Sequence, residues 1–225
     1  MRTKLSTGLP CALLLAVASA CHAPREAAHD WQVLLDGTSL DSWRNYKSDA
    51  VGENWALVDG ELVCMGGGAD IMTRDQFADF IFEFEWKVSP KANSGIMYHV
   101  SEEHAASYMT GPEYQVLDNA TLGQDGDLRT SASSNYALHT PAADFTKPVG
   151  EWNKGAIEVS GKRVRHWLNG ELSVQFMQWT PEWEVLVKAS KFDAMPAYGR
   201  ETKGHIVLQD HGNRVYYRNI RIRSL

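Results

Sequence analysis

Phe80-Ile81-Phe82-Glu83-Phe84-Glu85-Trp86-Lys87-Val88 decides the fold. Phe80, Phe82, Phe84, Trp86 and Val88 recur at every second position, with Ile81, Glu83, Glu85 and Lys87 between them. A period of two marks a strand with one buried face. Large aromatic residues make that face core, so Glu83 and Glu85 look outward together.

The neighbouring stretches repeat the pattern. Ser94–Val100 reads as the next strand, and Gly95 leaves room for close approach of another chain or a ligand. His99 shares the outward face of Gly95 and Met97. Gly111-Pro112 then turns the chain. In Glu113–Leu117, alternation buries Tyr114 and Val116 and lifts Glu113 and Gln115 outward, with Asp118 and Asn119 capping the end. Upstream, Trp31–Leu35 ends at Asp36-Gly37, and Trp55–Met65 reads as a hairpin turning at Asp59-Gly60. Gly66-Gly67-Gly68 is a flexible loop and lacks the Lys-Ser/Thr of a phosphate loop. Thr73–Phe77 reads as one helical turn.

Downstream, Ala120–Ser134 is polar, without period, and reads as a long loop. Asn135–Leu138 reads as a strand, and Gly150–Asn153 opens a long β stretch. Ala156–Val159 and Arg163–Leu168 meet at Ser160-Gly161, and Asn169-Gly170 is a type I′ hairpin signal leading into Glu171–Phe176. Thr180–Lys191 reads as a helix: Thr180 suits the N-cap, Pro181 the first turn, and Glu182 and Glu184 the positive end. His205–His211 and Val215–Arg223 close the chain as strands. Ile206 and Leu208 point inward, while His205, Val207, Gln209 and His211 point outward. Many short strands with one helix predict an antiparallel β-sandwich, and the long excursions between them favour a jelly roll.

Composition narrows the function. The chain has 225 residues, 44% hydrophobic and 22% charged, enough for one sizeable core. Its formal charge is −6 and it carries no basic run, which argues against nucleic acid. Its 8 Trp and 8 Tyr suit stacking on sugar rings as well as core packing. The first twenty residues read as a signal peptide: Arg2 and Lys4, then a short apolar run over Leu9–Val17, then Ala18-Ser19-Ala20-Cys21. Those small residues serve as an ordinary cleavage site or as a lipobox. A cysteine at the cleavage point favours the lipoprotein, with a lipid on Cys21 as the membrane anchor. Residues 21–30 read as a tether and 31–225 as one domain. Losing Arg2 and Lys4 takes the charge from −6 to −8. Cys64 then has no intramolecular partner and is expected as a buried thiol.

Glu85, His99, Glu113, Gln115, Gln209 and His211 all face outward by parity. Asp118, Asp210 and Arg218 lie at strand ends or in a less certain register. Two Glu, two His and an Arg suffice for proton transfer and for orienting a polyol. The same carboxylates and imidazoles would equally hold a metal. The chain lacks His-x-x-x-His and Cys-x-x-Cys spacing, which gives zinc little support. It also lacks Gly-x-Ser-x-Gly, which argues against a serine nucleophile.

Several blocks in one order resemble the 3-keto-disaccharide hydrolase domain family. They are Leu34–Trp43, Phe82–Trp86, Asn93–Ile96, Gly111–Asp118, Gly150–Asn153, His166–Gly170, Gly204–Gly212 and Arg218–Ile220. The resemblance implies a concanavalin A-like jelly roll and a periplasmic or surface role in breaking down oligosaccharides or glycosides. It implies that the substrate carries a ketone at C3, supplied by an upstream sugar 3-dehydrogenase. It further implies C2 proton abstraction, elimination at C1 and water addition. Under that implication Glu113 or His211 is base or acid, and Arg218 or a divalent metal stabilises the enolate. Glu85, His99, Gln115, Asp118, Gln209 and Asp210 contact the sugar, with Tyr98 and Trp152 as stacking candidates. The sequence demands no cofactor and leaves room for a divalent metal. The rivals are a carbohydrate-binding module, which needs no matched acid and base, and an ordinary glycosidase. The latter usually shows a close run of carboxylates, absent beyond Glu83-Phe84-Glu85.

Overall fold

The computed structural model describes Met1 and residues 30–225. The signal peptide, Cys21 and nearly all of the tether lie outside the described residues. Among the described residues, no helix is long and apolar enough to cross a membrane.

The described chain is a two-sheet antiparallel jelly roll. Its strands are β1 (Gln32–Leu35), β2 (Trp43–Asn45), β3 (Trp55–Val58), β4 (Glu61–Cys64), β5 (Ile71–Thr73), β6 (Phe80–Val88), β7 (Asn93–Val100), β8 (Glu113–Leu117), β9 (Asn153–Ser160), β10 (Arg163–Leu168), β11 (Glu171–Met177), β12 (His205–Leu208) and β13 (Val215–Ser224). The larger sheet runs β11-β10-β9-β6-β13-β4-β3, with β1 beside β13. The smaller runs β2-β5-β12-β7-β8.

The β6 alternation holds throughout: Phe80, Phe82, Phe84 and Trp86 are buried while Ile81, Glu83, Glu85 and Lys87 are half-buried. They meet Ile96 and Tyr98 of β7 and Tyr114 and Val116 of β8 in one core. Phe84 and Tyr114 pack edge to face at 5.2 Å, a favoured aromatic geometry. Each such ring contributes roughly 1.5–3 kcal/mol by leaving water. The core therefore fixes both sheets, and with them whatever stands on their outer faces. Cys64 is buried, as expected of a lone thiol.

Three local expectations change. Thr73–Phe77 is no helical turn: Thr73 ends β5, and Phe77 bridges to Gly204. Asn135–Leu138 makes only isolated bridges at Asn135, to Tyr114 and His139. The helix α1 covers Pro181–Lys188, shorter than Thr180–Lys191. Thr180 caps it by accepting the Trp183 N–H at 3.3 Å. Lys191 instead opens a separate 3-10 turn, Lys191–Ala194, whose cap Ser190 accepts the Phe192 N–H at 3.1 Å.

Candidate active site

Gly95, Met97, Glu113, Val207 and Gln209 stand on the outer face of the smaller sheet. Met97 pairs with Glu113 and Val207, Gly95 pairs with Gln115, and the Gln209 N–H donates to Gly95 O at 2.9 Å. At one end of this face Met72, Met97, Val100 and Val207 form a small apolar cluster beneath Tyr46. Beside it opens a cavity of about 440 Å³, lined by Tyr46, Asp70, Ser107, Tyr108, Glu113, Lys191, Gln209, Asp210 and His211 among others. That volume lies in the range of small-ligand sites.

Glu113 stands at its floor. The residue is 5% exposed, and among the described residues no donor reaches its carboxylate. Its side chain lies over Gly95, where an added Cβ would sit 2.7 Å from Glu113 Cδ. The missing side chain at Gly95 is thus what admits the carboxylate. Burial pushes the Glu113 carboxyl up to about 8, against the pull of the Lys191 charge and with a smaller push from Asp70. A carboxyl so tuned exchanges protons near neutral pH, as a general acid or base must.

A clasp of loops builds the opposite wall. Asp70 Oδ1 accepts the Asp210 N–H at 2.9 Å, and Asp70 Oδ2 accepts from Ser107 Oγ. Burial raises the Asp70 carboxyl, while these hydrogen bonds hold it down. Asp210 Oδ2 accepts from Asn54 Nδ2 and the Gly68 N–H, both at 2.8 Å, and its Oδ1 accepts the Gly212 N–H at 2.8 Å. Asp210 therefore ties the Gly66–Gly68 loop to the segment carrying exposed His211. It lines the cavity as architecture.

The other predicted residues lie elsewhere. Glu85 on β6 and Arg218 on β13 belong to the larger sheet and face outward from the opposite side of the sandwich. Arg218 Nε donates to Glu85 Oε2 at 2.8 Å, Asn219 Nδ2 donates to Glu85 Oε1 at 3.2 Å, and the guanidinium lies 4.0 Å over Trp152. Burial works to raise the Glu85 carboxyl, but hydrogen bonds from Arg218 and Asn219 outweigh it and leave it lowered. Parity told outward from inward; it did not say from which sheet. Glu85, Arg218 and Trp152 are therefore set apart from Glu113 by the whole sandwich.

That far face holds a larger cavity, about 770 Å³. Three of its carboxylates are neutralised, Glu85 by Arg218, Glu83 by Arg221 and Glu158 by Arg165, and the fourth, Asp36, accepts from the Thr38 N–H and hydroxyl. The Thr38 hydrogen bonds hold the Asp36 carboxyl below its ordinary value, so no carboxyl here is raised as Glu113 is, and size does not select this cavity.

His99 leaves the site for a local reason. Its φ is +54°, left-handed for a residue with a side chain, and the β7–β12 register shifts beside it. The alternation breaks there, and Nε2 lies 2.8 Å from Ala78 O. Burial lowers its imidazole. Tyr98 is fully buried between the sheets, its hydroxyl 3.4 Å from His166 Nε2, and offers no stacking face. Gln115 faces outward but is roofed: its Nε2 donates to Thr130 O at 3.2 Å, and its main chain pairs with Ser133 and Ser134. The Ala120–Ser134 loop is what covers it. Asp118 accepts the Lys91 N–H at 2.8 Å and the Ala120 N–H at 3.0 Å, a turn cap.

The cavity thus gathers Glu113, Gln209, Asp210 and His211 from the predicted set. It adds Asp70, Ser107, Tyr46, Tyr108 and Lys191, none of them anticipated. Asp70 follows a glycine run, a place where a chain can approach a ligand closely, and that was its only signal. Among the described residues no three His, Cys, Asp or Glu side chains converge as a metal site. Asp70 and Asp210 already use their oxygens on protein donors.

A surface built only to bind gains nothing from a carboxyl kept from water and from every donor; a proton-transfer enzyme does. Fold and site together define a jelly-roll protein with a carboxyl suited to proton transfer. The chain belongs to the 3-keto-alpha-glucoside-1,2-lyase-like domain family, whose model matches residues 30–223. It is 35% identical over 232 residues to a Bacteroides thetaiotaomicron protein named 3-keto-disaccharide hydrolase, covering 88% of this chain and 79% of that protein. A Parabacteroides distasonis crystal structure, provisionally named a glycosyl hydrolase, superposes with a TM-score of 0.82 at 32% identity, covering 90% of this chain and 97% of that one. A carbohydrate binding module from Bacillus subtilis shares the fold alone, with a TM-score of 0.53 at 12% identity over 81% of this chain and 96% of that one.

Proposed function

We propose that the protein cleaves 3-keto-glycosides, 3-keto-disaccharides among them, by C2 proton abstraction, elimination at C1 and addition of water. The observation that carries this reading is the Glu113 carboxyl, buried and held near pH 8 on the cavity floor. The C3 ketone acidifies the C2 proton. Glu113 takes that proton, and the C2–H electrons move into the C3 carbonyl to give an enediolate. The electrons return, the C1–O bond breaks, and the leaving oxygen takes a proton. Water then adds its hydroxyl to C1 and its proton to C2. The sum is hydrolysis with no redox change.

His211, exposed at the cavity rim, serves as the acid for the leaving oxygen. Gln209 supplies an amide to a sugar hydroxyl, and Tyr108, 41% exposed at the rim, offers a ring for stacking. An ordinary glycosidase would need a second carboxylate free to act on C1. Asp70, the other acid reaching this cavity besides Asp210, is held by Ser107 and the Asp210 N–H.

The test is a side-by-side incubation with a 3-keto-glucoside and its unoxidised parent, with and without chelator. Cleavage of the ketone alone is expected, because only the ketone makes C2–H removable by a carboxylate. Equal cleavage of both sugars would favour the ordinary glycosidase. Binding without cleavage of either would favour the lectin-like module.

The same reading places the protein in the periplasm or at the cell surface, downstream of a sugar 3-dehydrogenase that makes its substrate. The small residues before Cys21 support a lipid anchor there. Cys21→Ser should move the protein from the membrane to the soluble fraction; unchanged membrane association would contradict the anchor.

A further inference from the structure

We propose that Lys191 receives the C3 oxygen of the substrate and holds the negative charge that forms there when C2 loses its proton. This rests on the reading of Glu113 as the base. The chemistry asks for a fixed positive group at that oxygen. Arg218 cannot supply it, since it is paired to Glu85 across the sandwich. The side chains lining the cavity that can carry positive charge are Lys191 and His211, and His211 already serves the leaving oxygen.

Lys191 is held where the chemistry needs it. Ser190 Oγ donates to Val187 O at 2.8 Å and accepts the Phe192 N–H at 3.1 Å, fixing the turn. Phe192 is buried and stacks on Tyr198 with ring centroids 3.7 Å apart, fixing the backbone beside Lys191. The Lys191 Nζ lies 4.2 Å from the Tyr136 ring centroid, an attractive placement for an ammonium. Tyr136 is itself bound to the base strand, its N–H donating to Glu113 O at 3.0 Å. One short path therefore ties the cation to the base.

Among the described residues, Nζ makes no hydrogen bond and no ion pair. Burial lowers the lysine, and the Glu113 charge opposes that. Lys191 is exposed at the cavity mouth, so its donors are met by water and are free to turn to a ligand oxygen that enters. The charge balance agrees. Before reaction the cavity holds the Glu113 carboxylate and the ammonium. After proton transfer it holds a neutral Glu113, an enediolate and the same ammonium. The negative charge moves within reach of Lys191, and no new net charge is buried.

The test compares Lys191→Met, Lys191→Arg and Arg218→Gln with the parent on a 3-keto-glucoside, reading kcat, KM and C2–H exchange with deuterated water. Lys191→Met should lower kcat and exchange together by about 10²–10³, with KM changing far less. Lys191→Arg should recover part of both, and Arg218→Gln should stay within about twofold. Circular dichroism should match the parent in every case. Parental exchange in Lys191→Met would overturn the proposal while leaving the Glu113 reading intact. A parent that cleaves without any exchange would overturn both. A borohydride-trapped sugar on Lys191 would also overturn it, since that lysine would then act as an imine-forming nucleophile.

Discussion

Glu113→Gln should lower kcat on a 3-keto-glycoside by about 10²–10⁴ and at the same time raise the melting temperature. The first effect follows from losing the proton acceptor. The second follows from burial. The folded chain holds the Glu113 proton up to pH about 8, against an ordinary value of 4.5. The unfolded chain releases it near that ordinary value. Stability linked to this proton is full below the ordinary value and is lost as the pH rises to about 8. The neutral amide carries no such penalty. The advantage of E113Q should therefore grow between pH 5 and pH 8.5, at about 2–4 °C for each kcal/mol relieved in a chain of this size. Calorimetry across that range, beside kinetics, checks both. In the parent, kcat/KM should rise with pH toward about 8 as the base form fills. A falling profile there would assign Glu113 the acid role. Full activity in E113Q would remove it from the chemistry.

Gly95→Ala should lower kcat by roughly 10² without unfolding the protein. The added methyl would lie 2.7 Å from Glu113 Cδ, so the carboxylate must swing off the floor. Misplacing a reacting group by about 1 Å costs on that order. Gly95 does not have the positive φ that only glycine tolerates well, so alanine fits the backbone. The expected result is parental circular dichroism with little activity. Parental kinetics would mean that Glu113 needs no such seat.

These two residues also mark what could be read from the chain. Asn93-Ser94-Gly95 signalled a close approach, and the approaching group is the Glu113 carboxylate. The Phe80–Val88 alternation gave the sandwich, and parity put Glu113, Gln209 and Glu85 on outward faces correctly. Parity is a property of one strand, however, and sheet membership is set by pairing across long stretches of chain. Glu85 thus went to the far face when β6 paired with β9 and β13. His99 was lost to a single left-handed residue, and Gln115 to a roof formed by the segment after β8. Lys191 was hidden because it read as the end of a helix that stops at Lys188. The helix signal at Thr180-Pro181 was clear, but Ala189-Ser190-Lys191-Phe192 held no Gly, Asn or Pro to mark its end.

The most direct test of the central claim is deuterium at C2. The parent enzyme should cleave a 3-keto-glucoside in deuterated water and release a 3-keto-sugar carrying deuterium at C2, because water returns the proton that Glu113 removed. Product formed at the full rate with protium retained at C2 would contradict the elimination route.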